Sequence, residues 1–212
     1  MVTVTLEVDT RNLKTPTTNL RQHIVSRVLQ GHQRVKVLEL QPINIHQKIW
    51  YDEAFYWMPG NMLALHQGDI VYQYPYADGD YFPIVQGFGG GYSHIGASQY
   101  AVDFAMPIGT PIHAARAGIV IDLVEHQTRG GASRKYAKYA NYLVILHGDD
   151  TTGEYYHLRK DGVAVTQGER VTTGQIIGYS GNTGFSSLPH LHFAVYHAKA
   201  FGKYQSLPFT FE

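Results

Sequence analysis

The tetrapeptide His190-Leu191-His192-Phe193 alternates two imidazoles with two apolar side chains. This spacing predicts one extended strand with both imidazoles on the same face, roughly 7 Å apart, and Leu191 and Phe193 turned to a core. Two imidazoles fixed side by side on a rigid element can serve a metal ion, a proton transfer or both. Three further residues stand in settings that suit the same chemistry. His94 follows Gly89-Gly90-Gly91-Tyr92-Ser93, where the backbone can approach a ligand closely. Asp103 interrupts the apolar run Tyr100-Ala101-Val102-Asp103-Phe104-Ala105-Met106. A carboxylate desolvated there needs hydrogen-bond donors, a counter-charge or a metal. His157 sits in Glu154-Tyr155-Tyr156-His157-Leu158, read as a short strand. Three His/Asp ligands with one open position describe a catalytic zinc site, and spare imidazoles beside it handle protons at neutral pH. Residue chemistry alone leaves open which of His190 and His192 binds metal.

The chain has 12 histidines and no cysteine, so a metal must be held by imidazole and carboxylate, and disulfides are excluded. His23, His32, His46, His66, His126 and His197 have no companion at a telling distance and read as structural. His113 and His147, at strand or turn boundaries, read the same way. Lys and Arg number 17 and so do Asp and Glu, leaving no basic field to draw the chain onto nucleic acid. No apolar run approaches the 18 residues of a membrane-spanning helix.

Few charges with 22 glycines and 16 tyrosines fit a mainly β protein with tight turns. Residues 1–80 read as a small N-terminal antiparallel β domain, sandwich-like, with strands over 2–8, 34–40 and 48–57. His23–Gln30 is a short-helix candidate, and 73–80 a connecting segment. Residues 81–212 read as a second, antiparallel-sheet domain. Its strands are expected at Tyr100–Ala105, Gly118–Glu125, Tyr142–His147, Glu154–His157, Gln175–Tyr179 and Leu191–Tyr196, separated by Gly, Asp-Asp and Asn-Thr-Gly breaks. The polar stretch Arg129–Lys138 reads as a mobile loop.

Residues 83–197 resemble the lysostaphin/LytM-type zinc metallopeptidases of family M23, which cut peptide bonds in bacterial peptidoglycan. The matching stretches follow the family's order. They run from Gly91-Tyr92-Ser93-His94-Ile95-Gly96 through Tyr100–Pro111, Ala114–Val120, Asn141–Gly148, Tyr155-Tyr156-His157-Leu158 and Gly168–Gly178. The last are Ser180-Gly181-Asn182-Thr183-Gly184 and Pro189-His190-Leu191-His192-Phe193. The resemblance implies a LytM-type antiparallel sheet lining a groove, with one zinc ion held by His94, Asp103 and His192. It also implies that His157 and His190 are the catalytic pair that deprotonates the zinc water and supports the oxyanion. Two departures stand out. Nine positions separate His94 from Asp103 where the family usually has four, which reads as a loop insertion over Ala97–Tyr100. Phe88 stands where some members place an oxyanion tyrosine, so that role is not carried over; Tyr92, Tyr100 and Tyr156 are the nearest hydroxyls.

The function implied is a zinc endopeptidase acting on peptidoglycan stem peptides or cross-bridges. Two alternatives are a non-catalytic regulator on the same fold, which would typically lack some of the five residues, and a secreted peptidase acting on glycine-rich proteins. A peptidoglycan peptidase acts in the periplasm or outside the cell, so export is expected, with the leader absent from this chain.

Overall fold

In the computed structural model, every residue is described except His32, Gln67 and Asp69, so the structural reading of His32 lies outside the described residues. The chain divides into two compact units. Residues 1–62 with 198–204 form the first, and residues 63–197 with 205–212 the second.

In the first unit the strand Val2–Arg11 is central, paired antiparallel with Gln22–Leu29 on one side and Trp50–Pro59 on the other. Val4 and Val8 are buried on it. The buried Thr3 hydroxyl donates to the Gly60 carbonyl at 3.1 Å, and Thr5 pairs with the Ser26 hydroxyl at 2.9 Å. The helix expected over His23–Gln30 is a strand instead. Its β-branched residues sit opposite strand partners, Val25 across from Leu6 and Val28 across from Thr3, and this pairing outweighs a weak local helical pattern. The strand expected over 34–40 does not form. None of those residues is buried, and only Gln41–Pro42 beyond them finds a partner, in Leu13–Lys14. Among the described residues this unit thus has one three-stranded sheet and a short ribbon, and no second full sheet faces it as a sandwich would require.

The second unit is built on an antiparallel sheet. Its strands run, edge to edge, Arg170–Val171, Gly118–Val124, Tyr142–Leu146, Thr152–Tyr156, His190–Lys199, Ala101–Ala105 and Ile84–Gln86. All six expected strands occur, five of them within two residues of their predicted bounds; the sixth, Leu191–Tyr196, runs longer, as His190–Lys199. The strand expected at Glu154–His157 is Thr152–Tyr156, and His157 lies just beyond it at φ 70°. Arg129–Lys138 is structured rather than an open loop. Gly130–Gly131 pairs in parallel with Gly184–Phe185, and Arg134–Tyr139 forms a 3-10 helix.

Side-chain alternation gives this sheet a dry face. Leu191, Phe193, Phe104, Tyr155, Leu143 and Ile145 are wholly buried. The Phe193 ring lies 5.0 Å from Tyr155, 5.2 Å from Phe209 and 6.2 Å from Tyr72. Truncating such a ring costs about 3–5 kcal/mol, so the strand that carries His190 and His192 is firmly seated. Tyr72 and Tyr76, from a stretch that composition assigns to the N-terminal region and its connection, are buried in this same core.

One buried histidine of this unit serves the fold. His147 is held through Nδ1 by the Ala117 carbonyl at 3.0 Å, its Nε2 has no partner, and Gly153 leaves the room its ring occupies. Burial pushes it down to about 4. In the unfolded chain a histidine takes up a proton near pH 6.5. Between these values the unfolded state therefore binds the extra proton, and stability falls as pH falls. We expect wild-type unfolding free energy to drop from pH 6.5 towards 4 by up to about 1.4 kcal/mol per pH unit more than that of His147→Gln. Denaturant melts at stepped pH measure this; parallel curves for the two proteins would refute it.

Candidate metal centre

Strand register brings the first two residues of the site together. His192 lies directly across from Asp103, and His190 across from Ala105. The same alternation that buries Leu191 and Phe193 sends His192 to the opposite face, where its Nδ1 is 2.8 Å from Asp103 Oδ1. His94 arrives from a glycine-rich turn. Its backbone N–H donates to the Gly90 carbonyl at 3.0 Å, and its ring, fully buried, sets Nε2 3.1 Å from Asp103 Oδ1 and 3.3 Å from His192 Nδ1. The nine-residue spacing is absorbed locally. Gly96–Ser98 makes a 3-10 turn, and the Gly89 N–H donates to the Gln99 carbonyl at 2.8 Å, so the added residues loop out while His94 still reaches Asp103.

Whether these three atoms suit a cation can be judged from their chemistry. The Gly87 carbonyl lies 2.9 Å from His94 Nδ1. A carbonyl only accepts, so the neutral ring carries its proton on Nδ1 and turns the Nε2 lone pair towards Asp103. A proton on His192 Nδ1 satisfies one contact with Oδ1 and leaves His94 facing the carboxylate lone pair to lone pair. A cation among the three atoms satisfies all of them. Ligands about 2.0–2.1 Å from a tetrahedral zinc stand about 3.3–3.4 Å from each other; His94 Nε2 is 3.3 and 3.1 Å from its two partners, and the His192–Asp103 pair is tighter at 2.8 Å. His94, Asp103 and His192 are the one His/Asp/Glu group among the described residues whose ligand atoms converge in this way. Burial pushes the Asp103 carboxyl up, but contact with His192 and His94 outweighs it and holds the group below the ordinary carboxylate range.

His157 and His190 lie alongside. Their ring centroids are 4.5 Å apart, and His190 Nε2 is 3.9 Å from Asp103 Oδ2. Each is oriented by a carbonyl on Nδ1: Thr183 for His157 and Leu188 for His190, both at 2.7 Å. Both rings therefore present Nε2 as an acceptor. Burial pushes His157 down to about 3, helped by the neighbouring His190 and His192, and burial also lowers His190. Neutral imidazoles at neutral pH are the form that accepts a proton. The φ of 70° at His157 is a left-handed conformation uncommon outside glycine, and it is what turns this ring out of the strand's alternation.

Hydroxyls near the site are partly committed. Tyr156 has its ring 5.9 Å from His192, and its hydroxyl donates to Glu154 at 3.0 Å. Burial pushes Glu154 up to about 7 against that bond. Phe88 packs edge-on against Tyr100 and Phe209.

The sequence profile of peptidase family M23 matches residues 97–204, about half of the chain. The chain belongs to peptidase family M23. The matched stretch contains Asp103, His157, His190 and His192 and begins three residues after His94. This M23 chain is 41% identical over 97 residues to the peptidoglycan DD-endopeptidase ShyA of Vibrio cholerae, covering 46% of this chain and 20% of ShyA. It is 39% identical over 99 residues to the glycyl-glycine endopeptidase ALE-1 of Staphylococcus capitis, covering 46% and 24%. A solved zinc-containing peptidase from Vibrio cholerae is similar to it at 28% identity and TM-score 0.45, covering 82% of this chain and 52% of that one. The M23 match covers the sheet apart from its edge strand Ile84–Gln86, and contains both candidate proton-handling histidines. The chain spans about a fifth to a quarter of the length of ShyA and ALE-1. M23 is a metallopeptidase family, in keeping with the donor set described above.

The structure adds roles that the sequence did not assign. Gln86 donates from Nε2 to Asp103 Oδ2 at 3.1 Å and to Ser93 Oγ at 2.6 Å, while its Oε1 accepts from the Tyr92 and Ser93 N–H groups at 3.2 and 3.3 Å. One amide thus orients the carboxylate and pins the turn that delivers His94. Ser186 Oγ lies 3.0 Å from His190 Nδ1, and Thr183 supplies the carbonyl for His157. Partners behind a metal ligand typically change affinity about 10–100-fold. Gln86→Leu should therefore weaken metal binding by about that factor, measured by competition with a chromophoric chelator. An unchanged affinity would remove Gln86 from the site.

Proposed function

We propose that this chain is a zinc-dependent endopeptidase that hydrolyses peptide bonds in peptidoglycan stem peptides or cross-bridges. The observation that carries this reading is the convergence of two acceptor imidazoles, His157 and His190, beside the donor trio His94, Asp103 and His192. The first relatives named above, a peptidoglycan DD-endopeptidase and a glycyl-glycine endopeptidase, support peptidoglycan peptides as the substrate class. In this reading one zinc ion is held by His94, Asp103 and His192, and when bound it supplies Lewis acidity that acidifies water and polarises a peptide carbonyl. His157 and His190 accept the proton of the attacking water through Nε2 and return it to the leaving amine. The Thr183 and Leu188 carbonyls keep both rings in the tautomer this needs, and a protonated ring then faces the developing oxyanion. Because the substrate lies outside the cytoplasmic membrane, the protein is exported to the periplasm or the medium. Among the described residues, no helix is long and apolar enough to cross a membrane.

Purified protein incubated with cell-wall sacculi should release peptides, lose that activity with chelator and regain it with zinc. Mass spectrometry of the products identifies the bond. His192→Ala should lose stoichiometric zinc, whereas His190→Ala should retain zinc and lose turnover by about 10²-fold or more. Intact sacculi after incubation with zinc-loaded wild-type protein would overturn the proposed activity.

A further inference from the structure

Between Glu125 and Asp149 the chain carries no acidic residue, yet Arg129, Arg134, Lys135 and Lys138 place four cations within ten positions. In a chain with 17 residues of each charge this is a marked local excess. All four are exposed, and among the described residues none pairs with a carboxylate. Their heads rest on aromatic rings instead. Arg129 lies 4.4 Å from the Tyr139 centroid and Arg134 5.5 Å from that of Phe185, while Lys135 and Lys138 each lie 5.2 Å from a tyrosine centroid. Cation–π contact orders these groups without neutralising them. The positive charge stays available to an anion.

The platform is joined to the candidate site through backbone. The Gly184 N–H donates to the Arg129 carbonyl at 2.8 Å and the Ser186 N–H to the Gly131 carbonyl at 3.2 Å. Gly184, at φ 79°, is approached so closely by Ala140 that a Cβ there would stand 2.6 Å from the alanine's. The strand residues held this way, Thr183 to Ser186, carry the carbonyl on His157 Nδ1 and the hydroxyl beside His190 Nδ1. From the other wall, Tyr92 stacks on Phe185 at 5.4 Å and donates its hydroxyl to the Ala132 carbonyl at 3.2 Å. Tyr92 precedes His94 by two residues. Phe185 is therefore shared between the turn that delivers His94 and the cation Arg134.

We propose that Arg134 and Lys135, on the helical turn Arg134–Tyr139, form a subsite that recognises a free carboxylate on the substrate peptide near the bond being cut. The proposal rests on the peptidase reading for its substrate class. Arg134 offers a planar fork suited to bidentate carboxylate binding, already oriented by the Phe185 ring, and Lys135 adds a second positive charge. An uncharged cross-bridge gains nothing from this platform; a stem peptide with an open carboxylate does.

The test uses zinc-loaded wild-type protein and Arg134→Gln/Lys135→Gln with one synthetic cross-linked stem peptide in two forms, its carboxyls free or converted to amides. Affinity is measured by calorimetry and cleavage by chromatography. Wild type should bind the carboxylate form about tenfold more tightly at low salt, and the preference should shrink as salt is raised. The double variant should lose the preference, and Arg134→Lys should retain part of it through its charge. Equal affinity of wild type for both forms, or an undiminished preference in the double variant, overturns the subsite. Carboxylate-selective binding without cleavage of either form leaves the subsite standing and overturns the peptidase reading.

Discussion

A carboxylate closed off from water needs positive charge, and Asp103 is the point at which that requirement organises the second unit. It is buried, and one of its oxygens faces ring nitrogens of His94 and His192 at 3.1 and 2.8 Å. The other accepts from Gln86 and looks towards His190. Desolvation would push such a group to protonate unless its neighbours, or a cation among them, favour the charged form. Each feature of the site answers this demand. The strand partner contributes His192, the glycine-rich turn contributes His94, and Gln86 joins the turn to the carboxylate.

The same arrangement sets proton positions by using carbonyls as orienting groups. Gly87, Thr183 and Leu188 each face the Nδ1 of a site histidine, so His94, His157 and His190 all turn Nε2 inward. Those Nε2 atoms differ in where they fall relative to Asp103. His94 Nε2 is 3.1 Å from it, whereas His190 Nε2 is 3.9 Å away, its ring tilted against that of His157. Rigid seating of the strand from His190 to Lys199 keeps these differences, since Leu191 and Phe193 are wholly buried beneath it.

The first unit shows where local pattern misleads. His23–Gln30 has little helical amphipathicity and many β-branched residues, and in the structure the neighbouring strand Val2–Arg11 settles its conformation. Residues 34–40 have the composition of a strand but no strand partner among the described residues, and a strand without a partner leaves its backbone groups to solvent. The outer strand carries Tyr51, Phe55 and Trp57 at 58%, 60% and 57% exposure, so its aromatic residues are not the closed core of a sandwich.

Read alone, the sequence determined the β class, most strands of the second unit and five residues whose chemistry suits a metal and proton transfer. It did so because alternation with period two is local, and because polar residues inside apolar runs advertise themselves. Strand geometry left His190 and His192 equivalent, since neighbours on one strand face are alike until something stands across from them, and only the family resemblance set them apart. Tertiary structure supplies that neighbour by register, setting Asp103 opposite His192. It also decided what has no local signature: the amide of Gln86, the carbonyls that fix the imidazole tautomers, and the left-handed turn at His157. Those contacts join residues far apart in the chain, and only the closed sheet brings them within hydrogen-bond reach.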